Sequence, residues 1–347
     1  MVSIITLGIL NVIYSENPPE SKLAMKNLLL TGILATWVAM FLVTNKQRRD
    51  ILSWFCCGCL VIIAAYEIIA YIPIAITNRI DSPNWITVFT LNAIPTGTLM
   101  ILLSPGPVHL ILSRSSRIKL LGYAAAFLGI LLILLTQKRG TVLAIISMGL
   151  IWALYRFVWV RYFFGVALLA AALIIPFKGV DLSGQLNPEV PSHGSILHRF
   201  ELYPFALHVW KHHPVLGIGL RASNHEKYLE TYKQHNPGLT TFSEEVKQIQ
   251  TFDNMLVTSF VELGTIMTLL YLCLIILIFG KYWLKLRSSK PYPEDIYRII
   301  VLLGVAIHSM TYDSLLFPPV NWLFHLHLGI LAGYTVPGNP PAAPVSD

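Results

Sequence analysis

The chain has 347 residues, of which 55% are hydrophobic and only 12% charged, whereas a soluble domain carries about 25% charged residues. Its length would allow two or three soluble domains, but the composition excludes them: apolar runs of about 18 residues or more recur, each long enough to cross roughly 30 Å of hydrocarbon. Basic loops at a membrane surface account for much of the net charge of +7, with an anionic lipid substrate a candidate for the remainder and no nucleic acid required.

The first segment, MVSIITLGILNVIYSE, lacks a basic leader and an A-x-A cleavage site, so no cleaved signal peptide is expected. It is short for a membrane span and reads as a partial one. Spans are then expected near 27–44, 52–77, 84–104, 118–136, 140–156, 158–176, 252–280, 297–316 and 320–336. The predicted fold is therefore an all-α polytopic membrane protein with about ten transmembrane helices. One set of connections carries Lys46, Arg48, Arg49, Arg114, Arg117, Lys119, Arg156, Arg161, Lys281, Lys285, Arg287, Lys290 and Arg298. The other set is poorer in bases, so the first is expected to be cytoplasmic, with both termini. The domains expected are helices over 1–176, a large helical loop on the outer face over 177–251, helices over 252–336 and a disordered Pro-rich tail over 337–347.

Cys56, Cys57 and Cys59 fall in one apolar run and Cys273 in another, with no partners at zinc-ligand spacing, and read as packing residues. Lys138 and Arg139 interrupt LLILLTQKRGTVLAII at the outer end of two expected helices. They read either as a snorkelling pair at a hairpin turned by Gly140 or as a functional charge.

Within the long loop, Ser195 is placed to cap a helix running to about His213, ended by Pro214 and Gly217, with Pro204 kinking it. Arg199, Tyr203, Ala206 and Trp210 share one face of that helix. Ser223 and Glu226 read as a capping box for a helix to about His235, and a short helix is expected after Ser243. Asp253 stands where a helix N-cap is expected at the head of the next span. His308, Tyr312 and Asp313 fall near the outer end of another helix. His325 and His327 lie deeper and read as structural. Glu67 and Glu262 lie inside apolar runs, where each must be protonated, paired or facing a polar cavity; Glu262, about two turns below Asp253, is placed to pair with a loop base.

There is no P-loop, no G-x-G-x-x-G, no H-E-x-x-H and no Asp-x-Asp pair to hold a metal against a diphosphate. Phosphate, if handled, falls to fixed cations, with no metal or cofactor. Arginine suits the task, because its planar fork binds phosphate with two parallel hydrogen bonds and stays charged. Outer-face cations are Lys138, Arg139, Arg199, Lys211, Arg221, Lys227 and Lys233. Tyr203 and Trp210 are placed to stack on sugar rings or on a guanidinium.

Three motifs carry a family resemblance. LLTQKRGTVLA, HRFELYPFALHVWKHHPVLGIGL and FDNMLVTSFVELG occur in this order around the large loop. The set resembles the signatures of the O-antigen ligase and polymerase superfamily over roughly residues 118–336. The resemblance implies metal-independent transfer of a glycan from a polyprenyl diphosphate to a hydroxyl at the outer face of the inner membrane. It implies that Arg139 and Arg199 hold the diphosphate, with Lys138, Gly140, Tyr203, Trp210, Arg221, Asn254 and His198 around the substrates.

The family's catalytic His before Asn is Asp253 here, and an unperturbed Asp, with a pKa of about 3.9, is a weak base at neutral pH. Either burial raises Asp253, or His198 or His225 serves instead, or the acceptor needs little help. Family members commonly have more spans, so an N-terminal piece is expected to be missing. The favoured activity is ligation of undecaprenyl-diphosphate-linked O-antigen to the lipid A core. Repeat-unit polymerase and protein O-oligosaccharyltransferase are alternatives, as is a non-catalytic binding member. A secondary transporter using Glu67, Glu262 and Asp313 is a further alternative, disfavoured by the lack of internal repeats.

Overall fold

A computed structural model describes residues 2–43, 46–76, 93–136, 138–162, 164, 191–222, 226–235, 252–288 and 293–333. Among these the secondary structure is helical throughout, without strands. In chain order the helices are α1 (Val2–Ile13), α2 (Pro18–Ala24), a π-helical turn (Met25–Leu30) leading into α3 (Thr31–Leu42), α4 (Lys46–Ile76), α5 (Ala93–Leu103), α6 (Pro105–Ile111), α7 (Ser116–Leu135) and α8 (Arg139–Arg156). After these come α9 (Pro191–His212), α10 (Glu226–His235), α11 (Met255–Ser288), α12 (Pro293–Ser309), a 3-10 turn (Ser314–Leu316) and α13 (Pro318–Gly333).

Among the described residues, five stretches are long and apolar enough to cross a membrane: Pro18–Phe41, Gln47–Ala70, Ile94–Ile111, Ser116–Leu135 and Met255–Leu284. Their outward faces are greasy, with Ile62 69%, Phe127 65% and Ile276 66% exposed. Such faces are stable against lipid, where the helix satisfies its own backbone. The ten spans expected from sequence are thus recovered in part. α1, α12 and α13 are helical where spans were expected but hold only 12, 17 and 16 residues, and Gly140–Arg156 is likewise a short apolar helix. The expected span 158–176 falls mostly outside the described residues, as do 77–92, the helix after Ser243 and the tail.

α13 is the axis of the bundle. All but three of its residues are buried, and it packs along α3 and against α5 and α11. Its Asn321 side chain donates to the Leu28 carbonyl in the π turn (2.7 Å), and His325 joins Asn321 O (2.8 Å) to Tyr271 Oη (2.9 Å). His327 Nε2 meets Leu102 O at 2.7 Å, so both histidines are structural, as expected. Glu67 is buried in α4, and its Oε1 has no hydrogen-bond partner among the described residues. Cys56 and Cys57 are buried in the same helix, while Cys273 is exposed.

The two ends of α12 differ in chemistry. At its start, Arg298 donates to Asp295 (2.6 Å), Arg49 lies 3.8 Å from the same carboxylate, and His109 bridges Glu294 (2.9 Å) and Asp50 (3.4 Å). This network ties α4, α6 and α12 at one end of the bundle. Its far end, at His308, faces the polar cluster described below.

Over that far end lie α9 and α10, packed together through Phe205, Tyr228, Tyr232 and Phe252. Helix α9 begins at Pro191 rather than at a Ser195 cap and runs through Pro204, which is exposed and sits within one continuous helix. Its end at His212 and the end of α10 at His235 fall within one residue of expectation.

Glu16, in the corner between α1 and α2, fastens this layer down. Lys227 (3.0 Å) and Tyr228 both donate to its carboxylate, and His213 lies 3.4 Å away. Burial works to raise Glu16, but those hydrogen bonds and the Lys227 and His213 charges together hold it below its ordinary 4.5. A carboxylate depressed on folding stabilises the fold above its unfolded pKa, and that stability is lost as pH falls through the folded value. Acidification from pH 6 to below 4.5 is therefore expected to loosen α10, read as a fall in amide-exchange protection over 226–235 relative to the intrinsic rate at each pH. Glu16→Gln should flatten that response.

Candidate active site

The three motif segments meet at this end of the bundle, and the meeting is built on a broken helix. α11 is interrupted at Gly264 (φ 75°, ψ 173°), in a backbone region open essentially to glycine alone. A break strands carbonyls in the preceding turn, and at membrane depth each must find another donor. Ser259 O receives Thr268 Oγ1 (2.9 Å), and Val261 O receives the Ile218 N–H (3.0 Å). Glu262 O receives both the Gly219 N–H (3.0 Å) and Asn11 Nδ2 (2.8 Å). Beyond the break, the Thr265 N–H returns to Pro214 O (2.9 Å).

The segment HPVLGIGLR is thus the splint of the broken helix. Gly217 and Gly219 both take positive φ, and a Cβ at Gly217 would strike the Glu262 and Gly264 backbone. Asn11 of α1 locks the arrangement: its amide donates to Leu216 O (2.6 Å) and Glu262 O, and its Oδ1 accepts the Leu220 N–H (3.0 Å). Ser21 Oγ closes Leu220 O (2.8 Å), and the Glu16 N–H closes Ile218 O (2.9 Å). The sequence reading missed Asn11, although a lone amide in an apolar helix was a signal, since it must be satisfied by another segment. Asn11→Ala orphans Leu216 O and the Leu220 N–H in a buried setting and is expected to cost about 3 kcal/mol. Thermal unfolding in detergent checks this.

From Glu262 the polar cluster continues across the bundle. Glu262 and Asp313 are each 1% exposed and close enough to act on one another electrostatically. Glu262 Oε2 accepts the Arg221 backbone N–H at 2.9 Å, which is not the expected pairing of Glu262 with the side chain of a loop base. Next to Asp313, Ser314 Oγ bonds His308 Nε2 (3.1 Å) and Thr98 (3.0 Å). His308 in turn lies against the start of α8, where a Cβ on Gly140 would stand 2.7 Å from His308 Cε1. Gly140 is therefore not the hairpin turn. α8 already starts at Arg139, where Thr141 Oγ1 donates to Lys138 O (2.8 Å), and Gly140 is helical and needed for close approach to His308.

Lys138 is the N-cap residue of α8 and Arg139 its first residue, with no acid in the first turn. Across the cluster, the head of α11 is capped by Asn254, not by Asp253. Asn254 Oδ1 accepts the N–H groups of Leu256 (3.0 Å) and Val257 (3.2 Å), the usual work of an N-cap side chain. Asp253 is half-buried just before the cap, with φ 52°. Asn254 Nδ2 also reaches Tyr203 Oη at 3.5 Å, joining α9 to the head of α11.

Tyr203, Ala206 and Trp210 share a face, as expected, and with Val257, Phe260 and Val261 they line a groove of about 290 Å³. Trp210 Nε1 is held by Thr265 Oγ1 (3.1 Å), just past the break. His198 and Arg199 lie within α9, Arg199 one helical turn before Tyr203. For these two and for Arg139 the structure describes the backbone position only, and His225 lies outside the described residues. Among the described residues, no three His, Cys, Asp or Glu side chains come together as a metal site.

What the arrangement offers chemically is a buried polar cluster at the end of an apolar bundle, made by Glu262, His308, Asp313 and Ser314. The Arg221 N–H meets it at Glu262 and Gly140 packs on it at His308. No curated protein matches the chain. Residues 124–272, which hold most of α7, all of α8 to α10 and the broken part of α11, match the family model described as O-antigen ligase, so this part of the chain is similar to that family.

Proposed function

We propose that the chain is a glycan ligase that moves an O-antigen glycan from undecaprenyl diphosphate to a hydroxyl of the lipid A core, at the periplasmic face of the bacterial inner membrane. The observation that carries this reading is the meeting of the 136–141, 213–222 and 252–264 segments around one polar cluster. These are the segments that bear the family's motifs. In the reaction, the acceptor oxygen bonds to the anomeric carbon while the bond from that carbon to the diphosphate oxygen breaks. Polyprenyl diphosphate leaves with the electron pair, and Arg139 and Arg199 stabilise its growing charge. Asp253 accepts the hydrogen bond of the attacking hydroxyl and receives its proton. Tyr203 and Trp210 flank the glycan, while Lys138, Gly140, Asn254 and His198 border the substrates.

Deleting the gene tests this. Polymerised O-antigen should accumulate on its lipid carrier with the core left bare. Loss of long chains, with single repeat units still attached to the core, would make the chain a polymerase instead.

A further inference from the structure

Arg221 stands at φ 55°. Left-handed backbone is uncommon for a bulky side chain and costs glycine nothing. The same loop uses glycine at its two other positive-φ positions, Gly217 and Gly219. Where the sequence keeps arginine in spite of this, an observed strain points to a use for the side chain. The backbone here is also held with unusual care. The Arg221 N–H meets a carboxylate that is 1% exposed, the preceding N–H is held by Asn11, and the following one returns to Gly219 O at 3.0 Å.

The guanidinium itself is half-exposed and has no hydrogen-bond or ion-pair partner among the described residues. It acts on Glu262 only through space. The other oxygen of Glu262, Oε1, is buried without a hydrogen-bond partner. A desolvated carboxylate is a costly acceptor for a single backbone N–H, which fits a residue kept to set the geometry of its neighbour.

We propose that Arg221 is a third diphosphate-binding guanidinium of the donor site, and that Glu262 is the positioning residue that fixes its turn. This rests on the ligase reading and adds to it. Arg139 and Arg199 come from α8 and α9, whereas Arg221 reaches the anion from the splint of the broken helix. The backbone of Arg221 is thus fixed to the broken helix α11, whose head Asp253 precedes by two residues.

The test is binding of farnesyl diphosphate, a short polyprenyl diphosphate, to the purified full chain in detergent by calorimetry, with a thermal melt of each variant. Arg221→Gly is expected to raise Kd about tenfold, the scale of one lost charge-assisted contact, while the melt stays level or rises. Glu262→Gln keeps an acceptor for the Arg221 N–H and should bind like the parent. Glu262→Ala should weaken binding about tenfold, and the Arg221→Gly/Glu262→Ala double variant should be no worse than the weaker single one. Parent-like binding by Arg221→Gly would reduce Arg221 to a backbone element and overturn the proposal. So would additive losses in the double variant, or Glu262→Gln as weak as Glu262→Ala. If Glu262→Ala does not fold, Arg221→Gly and Glu262→Gln still decide. If the unmutated chain itself does not bind farnesyl diphosphate, the ligase reading falls and this proposal with it, an outcome distinct from a failure confined to the variants.

Discussion

Alanine at Arg139 or at Arg199 is expected to lower glycan transfer by about 10²–10³-fold, the range seen when one donor to a developing anion is removed, while expression and membrane insertion are unchanged. For Arg139 the structure separates function from folding. A helix N-terminus carries a partial positive charge and favours acids, so a cation there weakens the helix rather than supporting it. α8 nonetheless opens with Lys138 at its N-cap and Arg139 as its first residue, with no acid in the first turn. The turn is held by Thr136 and Thr141, neither of which needs the Arg139 side chain. Arg139→Ala should therefore leave the helix as stable or slightly more so, and a loss of transfer would report the anion. Two adjacent cations on the positive pole of a helix make sense if a doubly charged phosphate group sits before it. Complementation of a deletion strain, scored by capped lipopolysaccharide alongside membrane-fraction protein, is the measurement. Full transfer by either variant would remove the diphosphate grip.

The second large effect is structural. Gly264→Ala is expected to destabilise the protein by about 3 kcal/mol or more and to abolish transfer with it. A Cβ there would stand 2.5 Å from the Gly217 nitrogen and 2.6 Å from the Leu216 carbonyl carbon, with φ at 75°. Those neighbours are backbone, with the Gly217 N–H held by His213 O (2.9 Å) and the Leu216 carbonyl held by Asn11 Nδ2 (2.6 Å), so neither can swing away. Gly280→Ala in the same helix is the control. Nothing lies within 4 Å of its added Cβ, and it should gain up to about 1 kcal/mol from helix propensity. Thermal unfolding of the pair in one detergent compares the two. An unchanged melt for Gly264→Ala would mean that α11 can run straight.

The apolar runs made the helices legible, and motif order placed the site at one end of them. The sequence places His308 and Asp313 near the outer end of a helix, and both belong to the polar cluster. Glu262 was read as needing a partner and has one. What the sequence hid were the parts that depend on distant contacts. The break in α11 sits in an unbroken apolar run, because glycine in such a run also reads as ordinary packing; only the 213–219 segment lying beside it makes the interruption affordable. The cap of α11 slipped by one residue, since Asp253 and Asn254 have equal capping chemistry and the backbone at Asp253 is left-handed instead. Gly140 was taken for a turn because the imidazole it accommodates lies far along the chain, at His308.

Asn11 carries a consequence for how the protein is made. Its carboxamide is made before the carbonyls it serves, which come 205 and 251 residues later. During synthesis the amide of α1 therefore waits unsatisfied in an apolar setting until Leu216, Leu220 and Glu262 have been made and have docked on it.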